Sequence, residues 1–315
     1  MEVEKQYIKL NVERYGGMIF SPWFDRPLSV AGRVIIKNPS TGKLESRLVN
    51  VDRDLVMIPN LAIHMNREVN NGYKYNAQKD MLPLYGMSTA KDTFMQTIAE
   101  AAGVSVDDIL GHDLFLYNRE RASIWGASEE FVSAPQLDDL QCAFSSMKGF
   151  LSSEKNNYLA LHCVFDNEEV GSSTKQGAAS TFLRDTLQRI HEVLGYDRED
   201  YRIHLANSLM LSADNAHDSS SNHTDMADPT NPSLPEWRYC DQFNANQKYC
   251  TDAVSAAMFR DICKQANVPV QTFTNRSDIA GGSTLGNISN TQVALNTVDI
   301  GLPQLAMHSP YETAA

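Results

Sequence analysis

The chain has 315 residues, of which 42% are hydrophobic and 21% charged, as is typical of a folded globular protein with a sizeable core. Its formal net charge of −12 at pH 7 argues against a nucleic-acid partner, because phosphate binding needs a clustered basic surface. The N-terminus shows no secretory signal pattern, and no stretch reaches the roughly 18 apolar residues of a membrane helix. The five cysteines form no C-x-x-C pair, so we expect reduced thiols, no membrane partner and a cytoplasmic location.

The first region, up to about residue 126, has the pattern of a β-rich domain. Apolar and polar residues alternate over 8–12, which predicts a half-buried strand. Two apolar runs, 34–36 and 48–51, flank a turn-rich segment that contains Pro39 and Gly42, so we expect a hairpin. Further strands are predicted at 55–58 and 114–117, a helix at 88–102, and a short helix capped by Ser105.

The second region alternates helices with strands. Apolar residues at helical spacing predict helices at 137–151, 183–194 and 253–266, the second of them closed by Gly195. Apolar runs predict strands at 158–165, 208–211, 268–273 and 292–300, with a long polar loop over 217–239. This alternation favours an α/β fold with a mainly parallel sheet that is flanked by helices.

Polar side chains cluster where predicted strands end. Glu168 and Glu169 follow one strand, Asp214 and His217 follow the next, and His308 follows the last. Ligands of open parallel sheets bind beyond the carboxyl ends of the strands, so these groups could converge in one cleft.

Metal-assisted hydrolysis is the chemistry that these groups suggest. Zinc takes imidazole nitrogen and carboxylate oxygen, and a pair of metal ions needs a shared carboxylate between them. Asp138 and Asp139 open the helix at 137–151, which precedes the first strand of this region, and they could join the same cleft. Glu168 and Glu169 are adjacent but project differently, so one can bind metal while the other acts as general base.

Each of these features also has a simpler interpretation. The glutamate pair is also typical of a solvated surface, Asp138 of a helix cap, and His308 of a structural histidine. Asp214 with His217 could form a local turn hydrogen bond. The Gly-rich stretch 281–286 suggests a phosphate loop, but it lacks the Gly-Lys-Ser/Thr ending, which favours close backbone packing instead.

Several longer motifs resemble the M18 family of dinuclear zinc aminopeptidases, and they follow the family's order along nearly the whole chain. In the first region they are WFDRPLSVAGRVIIK (23–37) and IPNLAIHMNR (58–67). In the second region they are PQLDDL (135–140), FDNEEVGSSTKQGAASTFL (165–183), MLSADNAH (210–217), FNANQKY (243–249), NRSDIAGGSTLG (275–286) and TVDIGLPQLAMHS (297–309).

The resemblance implies a role for each cluster residue. Asp138 resembles the carboxylate that bridges both metals, and Glu169 and His308 resemble the terminal ligands of one metal. Asp214 resembles a ligand of the other metal, and Glu168 resembles the general base. The implied activity is that of a metalloprotease: an aminopeptidase that hydrolyses N-terminal residues from peptides with a water activated by two metals.

The resemblance also implies an assembly. M18 proteins build homo-oligomers, namely dodecamers, through a β-rich domain inserted in the catalytic domain. Residues 1–126 resemble that oligomerisation domain and 127–315 the metallopeptidase catalytic domain. His64 resembles a histidine that reaches a neighbouring subunit's active site, and we also expect His217 to contact substrate.

Four departures from the family pattern bear on activity. The family's first metal-binding histidine precedes the segment that starts at Met1, and its final helix follows the segment that ends at Ala315. Ser220 stands where the family has a second histidine, and Gln242 where it has lysine. The alternative function is therefore a catalytically impaired or inactive structural subunit, or a fragment, and a nucleotide-binding protein is a third hypothesis.

The cofactor implied by the resemblance is Zn²⁺, at two ions per subunit in the family and one or none with the missing histidine. Carboxylate-rich sites also accept Mn²⁺ or Co²⁺. Members of the family prefer either acidic or neutral and apolar N-terminal residues, and this sequence is nearer the branch that accepts neutral ones.

Overall fold

The computed structural model describes residues 2–3, 6–154, 157–235 and 239–315. These residues form two compact units. The first unit comprises Met1–Arg14, Met18–Ala122 and Ser309–Tyr311, and the second comprises Tyr15–Gly17, Ser123–His308 and Glu312–Ala315. No helix in these ranges is long and apolar enough to cross a membrane, and all five cysteines are free thiols. The predicted roles of 1–126 in oligomerisation and of 127–315 in catalysis stay predictions.

The first unit is built mainly from antiparallel strands. Its elements are β1 (Glu2–Val3), β2 (Tyr7–Lys9), β3 (Leu28–Lys37), β4 (Leu44–Asn50), α1 (Ala77–Asp80), β5 (Leu84–Met87), α2 (Phe94–Ala102) and β6 (Ile109–Asn118). Two three-stranded sheets result, with the orders β1-β2-β5 and β4-β3-β6. The predicted hairpin is confirmed as β3 and β4, whose turn is closed by the side chain of Asn38, which accepts the backbone amides of Ser40 and Thr41.

Apolar burial explains how the elements of the first unit pack. Leu28 and Val34 of β3 and Ile98 of α2 are fully buried in one core cluster. Gly103, in the left-handed conformation at φ 67°, ends α2 and gives it a definite C-terminus. These side chains each remove apolar surface from water, which is the main favourable contribution to folding.

Several predicted elements of this unit differ from the observed ones. The strand predicted over 8–12 is shorter and lies at Tyr7–Lys9. The stretch 55–58 forms isolated bridges instead of a strand, and the helix predicted over 88–102 begins only at Phe94 after a separate 3₁₀ turn. Ser105 precedes a 3₁₀ turn at Val106–Asp108, but its side chain makes no cap hydrogen bond.

The second unit alternates helices and strands. Its elements are β7 (Ser123–Trp125), β8 (Phe131–Ala134), α3 (Leu137–Ser152), α4 (Phe182–Val193), α5 (Arg198–Ala206), β9 (Leu209–Ala213), β10 (Ala216–His217), β11 (Tyr239–Phe243), α6 (Ala253–Gln265), β12 (Val270–Thr274), α7 (Leu285–Ser289), β13 (Asn296–Gly301), β14 (Pro303–Leu305) and β15 (Glu312–Ala314). The α/β class and the helices at α3, α4 and α6 are confirmed.

Two sheets organise this unit. A four-stranded sheet has the order β12-β11-β13-β9, in which two of the three neighbouring pairs run parallel and β11 pairs antiparallel with β13. A five-stranded sheet has the order β10-β14-β15-β8-β7, with β10 and β14 parallel and the remaining pairs antiparallel. Phe259 and Cys263 of α6 pack with Val298 and Ile300 of β13 to form a core cluster.

The strand predicted over 158–165 is wrong, because these residues pair with no strand in the described part of the chain. Tyr158 is 82% exposed and Leu159 63%, although the apolar run had predicted a strand covered on both faces. A strand needs a hydrogen-bonding neighbour as well as apolar side chains, and an apolar run alone cannot supply one.

The sequence pattern did not reveal α5 or β11. A capping box holds the start of α5, because Asp197 accepts the amide of Asp200 and the Asp200 side chain accepts the amide of Asp197. β11 begins at Tyr239, where the long loop was expected to end, and residues 236–238 of that loop lie outside the described residues.

Candidate metal centre

Asp138 lies at the irregular start of α3. The helix has Gln136 as its N-cap with no side-chain cap bond, and Asp138 and Asp139 have non-helical backbone angles with a cis peptide bond between them. The helix-cap interpretation of Asp138 stays a prediction, because an N-cap residue also has non-helical backbone angles. Its side chain is only 8% exposed, and its Oδ2 lies 3.4 Å from Nε2 of His308.

Glu169 and His308 complete a cluster with Asp138. Glu169 lies in a 3₁₀ turn, Glu168–Val170, which follows Asn167 in the left-handed conformation. Its Oε2 lies 3.4 Å from Nε2 of His308, so one imidazole nitrogen faces two carboxylates at equal distance. The three ligand atoms all lie within 4.8 Å of one another.

This donor set fits a zinc ion. Zinc binds imidazole nitrogen and carboxylate oxygen at about 2.0–2.2 Å in tetrahedral geometry, which separates neighbouring ligand atoms by about 3.4 Å. Nε2 of His308 has that separation from Oδ2 of Asp138 and from Oε2 of Glu169. Three protein ligands leave a fourth position for water or substrate, as in catalytic zinc sites.

An excess of carboxylates surrounds this cluster. Burial, followed by the neighbouring Glu169, Asp139 and Asp138, raises the pKa of Glu168 to about 7. Burial and the nearby Asp138 likewise raise the pKa of Asp139 and contribute to a raised pKa of Glu169. So many carboxylates in one place repel each other, and a cation bound among them would relieve that repulsion.

The ring of His308 is held from both sides. The interaction with Asp138, together with the charge of Glu169, raises the pKa of His308 to about 9 against the opposing effect of burial. The Gly17 backbone also hydrogen-bonds the ring, and an added Cβ at Gly17 would lie 3.5 Å from Nδ1. A backbone bond on Nδ1 leaves Nε2 free to face a metal, the usual arrangement of a ligating histidine.

Asp214 and His217 lie near the same cluster. Burial and the charges of Asp138 and Glu168 raise the pKa of Asp214 well above its ordinary value. Oδ1 of Asp214 accepts the amide of Asn215 at 2.7 Å, so the local turn bond exists but its donor is not His217. His217 is an exposed residue, yet the protein atoms around its ring desolvate it, and together with His308 they lower its pKa.

Sequence reasoning missed Glu312. Its carboxylate accepts the amide of Asp138 through Oε2 at 2.8 Å and the amide of His308 through Oε1 at 2.7 Å. The residue is 2% exposed, and burial raises its pKa to about 7. No local pattern could reveal it, because Asp138 is 174 positions away and the contact exists only once β15 pairs with β8.

Sequence reasoning also missed the segment Tyr15–Gly17. The Tyr15 hydroxyl donates to Oδ1 of Asn167 at 3.0 Å, next to the glutamate pair. Gly16 has φ +67°, and a Cβ there would lie 2.4 Å from the carbonyl oxygen of Glu169. The Gly-Gly dipeptide was the available signal, since paired glycines mark a position where backbone approaches backbone.

Other predicted or departing positions are not members of the three-residue cluster. His64 lies in an exposed turn of the first unit. Gln242, where lysine was expected, is 2% exposed, and its Nε2 has no hydrogen-bond partner among the described residues. In the Gly-rich stretch, a Cβ at Gly286 would lie 2.5 Å from Oδ1 of Asp299, so close packing explains that glycine.

Comparisons with known proteins identify the family of this chain. The family model described as aminopeptidase I zinc metalloprotease (M18) matches residues 1–315. A probable M18 family aminopeptidase 2 of Clostridium acetobutylicum is 46% identical over 317 residues, covering 98% of this chain and 72% of that protein. A probable M18 family aminopeptidase 2 of Pseudomonas aeruginosa strain PAO1 is 38% identical over 314 residues, covering 98% of this chain and 72% of that protein.

Solved structures show the same fold. A chain of a cryo-EM structure of an Ape4 and Nbr1 complex superposes with a TM-score of 0.90 at 32% identity, covering 98% of this chain and 63% of that one. The S. cerevisiae mApe1 dodecamer superposes with a TM-score of 0.79 at 25% identity, with 98% and 69% covered. This chain thus spans just under two thirds of the matching chain in that complex and about 70% of the other three relatives named here.

The chain belongs to the M18 family of zinc metalloproteases, the aminopeptidase I family. The fold, the homologues and the acid–imidazole cluster together define a metalloaminopeptidase.

Proposed function

We propose that this chain hydrolyses N-terminal residues from peptides at the cluster of Asp138, Glu169 and His308, with Glu168 as general base. The observation that carries the proposal is the position of Nε2 of His308, 3.4 Å from both carboxylates. Three converging ligands with an open position are typical of catalytic rather than structural zinc sites.

Zinc, when bound, supplies Lewis-acid chemistry, because it lowers the pKa of water and polarises a peptide carbonyl. Asp138, Glu169 and His308 would hold the ion. Glu168, adjacent to a ligand but outside the three-residue cluster, accepts the proton of the attacking water. The same carboxyl then returns that proton to the amine that leaves.

A glutamate-to-glutamine pair of variants tests the general base. Glu168→Gln removes the proton acceptor but keeps the shape, so kcat should fall at least 100-fold, the size of a general-base contribution. Zinc content by elemental analysis should stay unchanged. Glu192→Gln, at an exposed position of α4, is the matched control and should keep full activity. Hydrolysis that persists in Glu168→Gln at the wild-type rate would show that another group takes the proton.

We propose two metal ions per subunit, with Asp138 as the shared ligand and Asp214 on the second ion. The support is that burial and the charge of Asp138 raise the pKa of Asp214, and that Asp214 directly follows β9. Asp214→Asn should reduce the metal content from about two ions per chain to one, measured after dialysis against a weak chelator. Equal metal content in the variant and the wild type would show that Asp214 is not a metal ligand. Repeating the titration with Mn²⁺ and Co²⁺ identifies which ion the site prefers.

We further propose a homo-oligomer in which His64 contacts the substrate bound by a neighbouring subunit. His64 is exposed among the exposed apolar residues Leu61, Ile63 and Met65, a composition typical of a contact surface. Among the similar structures, the one from S. cerevisiae is a dodecamer. His64→Ala should raise KM or lower kcat without changing metal content, whereas His112→Ala on an exposed strand of the same unit should not. A chain that is monomeric by light scattering yet fully active would contradict this role of His64.

A further inference from the structure

A cavity of about 400 Å³ opens beside the metal cluster, within the second unit. His308 lines one part of it, and the segment that follows β10 lines another, including Asp218, Ser220 and Ser221. The parallel pairing of β10 with β14 holds these walls together, because the amide of Asp218 donates to the carbonyl of Gln304 at 2.9 Å. The volume lies in the range of roughly 300–1,000 Å³ that is usual for small-molecule sites.

Charged side chains are few in the lining. No lysine or arginine lines the cavity among the described residues, Asp218 is its one carboxylate, and the imidazole of His308 is paired with Asp138 and Glu169, each 3.4 Å from its Nε2. Oδ1 of Asp218 is buried and has no hydrogen-bond partner in the described structure. A buried carboxylate oxygen without a partner is unfavourable, and a cation near the carboxylate would offset that cost. Burial also raises the pKa of Asp218 to about 6, against the opposing effect of the Ser219 backbone amide, which donates a hydrogen bond to the carboxylate.

The rest of the lining suits the stem of a long side chain. Leu305, Ala306 and Met307 supply apolar surface between Asp218 and His308 along the chain. Lysine and arginine pack their aliphatic stems on such surface while the charged head meets a polar group. An acidic side chain would instead meet the carboxylate of Asp218, while the imidazole of His308 already faces Asp138 and Glu169.

We propose that this cavity accepts the side chain of a basic N-terminal residue, lysine or arginine, and that Asp218 is the residue that selects it. This inference rests on the proposed aminopeptidase function, since the substrate reaches the cavity from the metal cluster. It differs from a preference for acidic or for neutral apolar residues, the two preferences that resemblance to the family had implied.

The test combines binding with turnover. Binding of L-lysinamide, L-leucinamide and L-glutamic acid α-amide to the protein as purified is measured by calorimetry. We expect lysinamide to bind at least ten-fold more tightly than the glutamic acid amide. Asp218→Asn should lose at least ten-fold of the affinity for lysinamide while the affinity for leucinamide stays within two-fold. Asp225→Asn, an exposed change in the same loop, is the matched control and should behave as the wild type.

Turnover of fluorogenic Lys, Arg, Leu and Glu aminoacyl substrates separates the two proposals. A protein that cleaves the leucyl substrate but shows no advantage for lysyl or arginyl ones overturns this inference and leaves the aminopeptidase function intact. A protein that cleaves none of them overturns the proposed function, and calorimetry then still decides the inference. Equal binding of lysinamide by wild type and Asp218→Asn, or no binding at all, overturns the inference.

Discussion

The carboxylate of Glu312 accepts the backbone amide of Asp138 at 2.8 Å. Its second oxygen accepts the amide of His308 at 2.7 Å, so one buried side chain fixes the backbone of two candidate ligands that are far apart in sequence. Ligands that are positioned by such outer contacts bind metal more tightly than free ones, because less order is lost on binding.

Glu312→Gln should therefore weaken zinc binding about 10- to 100-fold, the usual effect of removing an outer partner of a metal ligand. The amide of glutamine keeps one acceptor but presents its NH₂ to a backbone N–H, so one of the two bonds is lost. Calorimetric titration of the metal-free protein with zinc measures the affinity. Glu154→Gln, at an exposed position after α3, is the control. Glu312→Asp should also bind zinc more weakly than the wild type, because its shorter side chain cannot reach both amides. Unchanged zinc affinity in Glu312→Gln would show that the two hydrogen bonds do not position the ligands.

The sequence predicted those parts of the fold that depend on local pattern. The helices α3, α4 and α6 follow from apolar residues at helical spacing, and the N-cap of α6 is Asp252, whose side chain accepts two backbone amides of the first turn. The β3–β4 hairpin follows from its turn residues. Strands such as β8 and β15 were not predictable, because each is short and they pair across about 180 residues of chain.

The candidate site also has residues that the sequence predicted and residues that it did not. Asp138, Glu169 and His308 were predicted as metal ligands, and the structure brings them together. Their individual roles, and those of Glu168, Asp214, His64 and His217, stay predictions. Glu312 and Tyr15 were missed because their contacts depend on tertiary structure, which one sequence without its fold does not show.

Gly16→Ala should disturb the metal site through the backbone of Glu169. The residue has φ +67°, and a Cβ would lie 2.4 Å from the carbonyl oxygen of Glu169, so the backbone of Glu169 has to move. We expect a loss of about 1–3 kcal/mol in the free energy of unfolding and a weaker zinc affinity. Urea unfolding and zinc titration measure the two effects.

Gly17→Ala is the matched control for Gly16→Ala. Its added Cβ would meet Nδ1 of His308 at 3.5 Å, an ordinary van der Waals contact. The control should keep both stability and zinc affinity close to those of the wild type. Equal behaviour of the two variants would mean that the close approach of Gly16 to Glu169 does not shape the site.

Asp218 predicts a pH dependence of stability. Burial raises its pKa in the folded protein to about 6, above the ordinary value of 3.8, so the folded state holds a proton that the unfolded state has already lost. The proton on Asp218 thus stabilises the folded state, and its contribution to the free energy of unfolding falls as the pH rises from about 4 to about 6. Above pH 6 the contribution of Asp218 is constant. The full pKa difference corresponds to roughly 3 kcal/mol, which partial exposure reduces to about 1 kcal/mol.

Asp218→Asn removes this titration. The variant should therefore gain about 1 kcal/mol relative to the wild type between pH 4.5 and pH 7, because the wild type alone must bury a charge at the higher pH. Urea unfolding of both proteins in the same buffers gives the difference directly. A constant difference between the two proteins over this pH range would show that the Asp218 carboxyl is not desolvated.

Asp241 and Arg260 form an ion pair that joins β11 to α6. Asp241 is fully buried, and both Nε and Nη2 of Arg260 lie 2.7 Å from its Oδ2, while Nη2 also donates to Thr272 of β12 at 2.8 Å. Arg260→Met should cost about 3 kcal/mol of stability, because it leaves a buried carboxylate without its cation.

Asp241→Asn combined with Arg260→Met should recover a large part of that loss, since the amide carries no charge to bury. Thermal and urea unfolding of the two variants test this, with Arg202→Met at an exposed pair on α5 as the control. If the double variant is no more stable than Arg260→Met alone, the loss arises from packing of the arginine, including its position 5.8 Å over the Phe243 ring, and not from the unpaired charge.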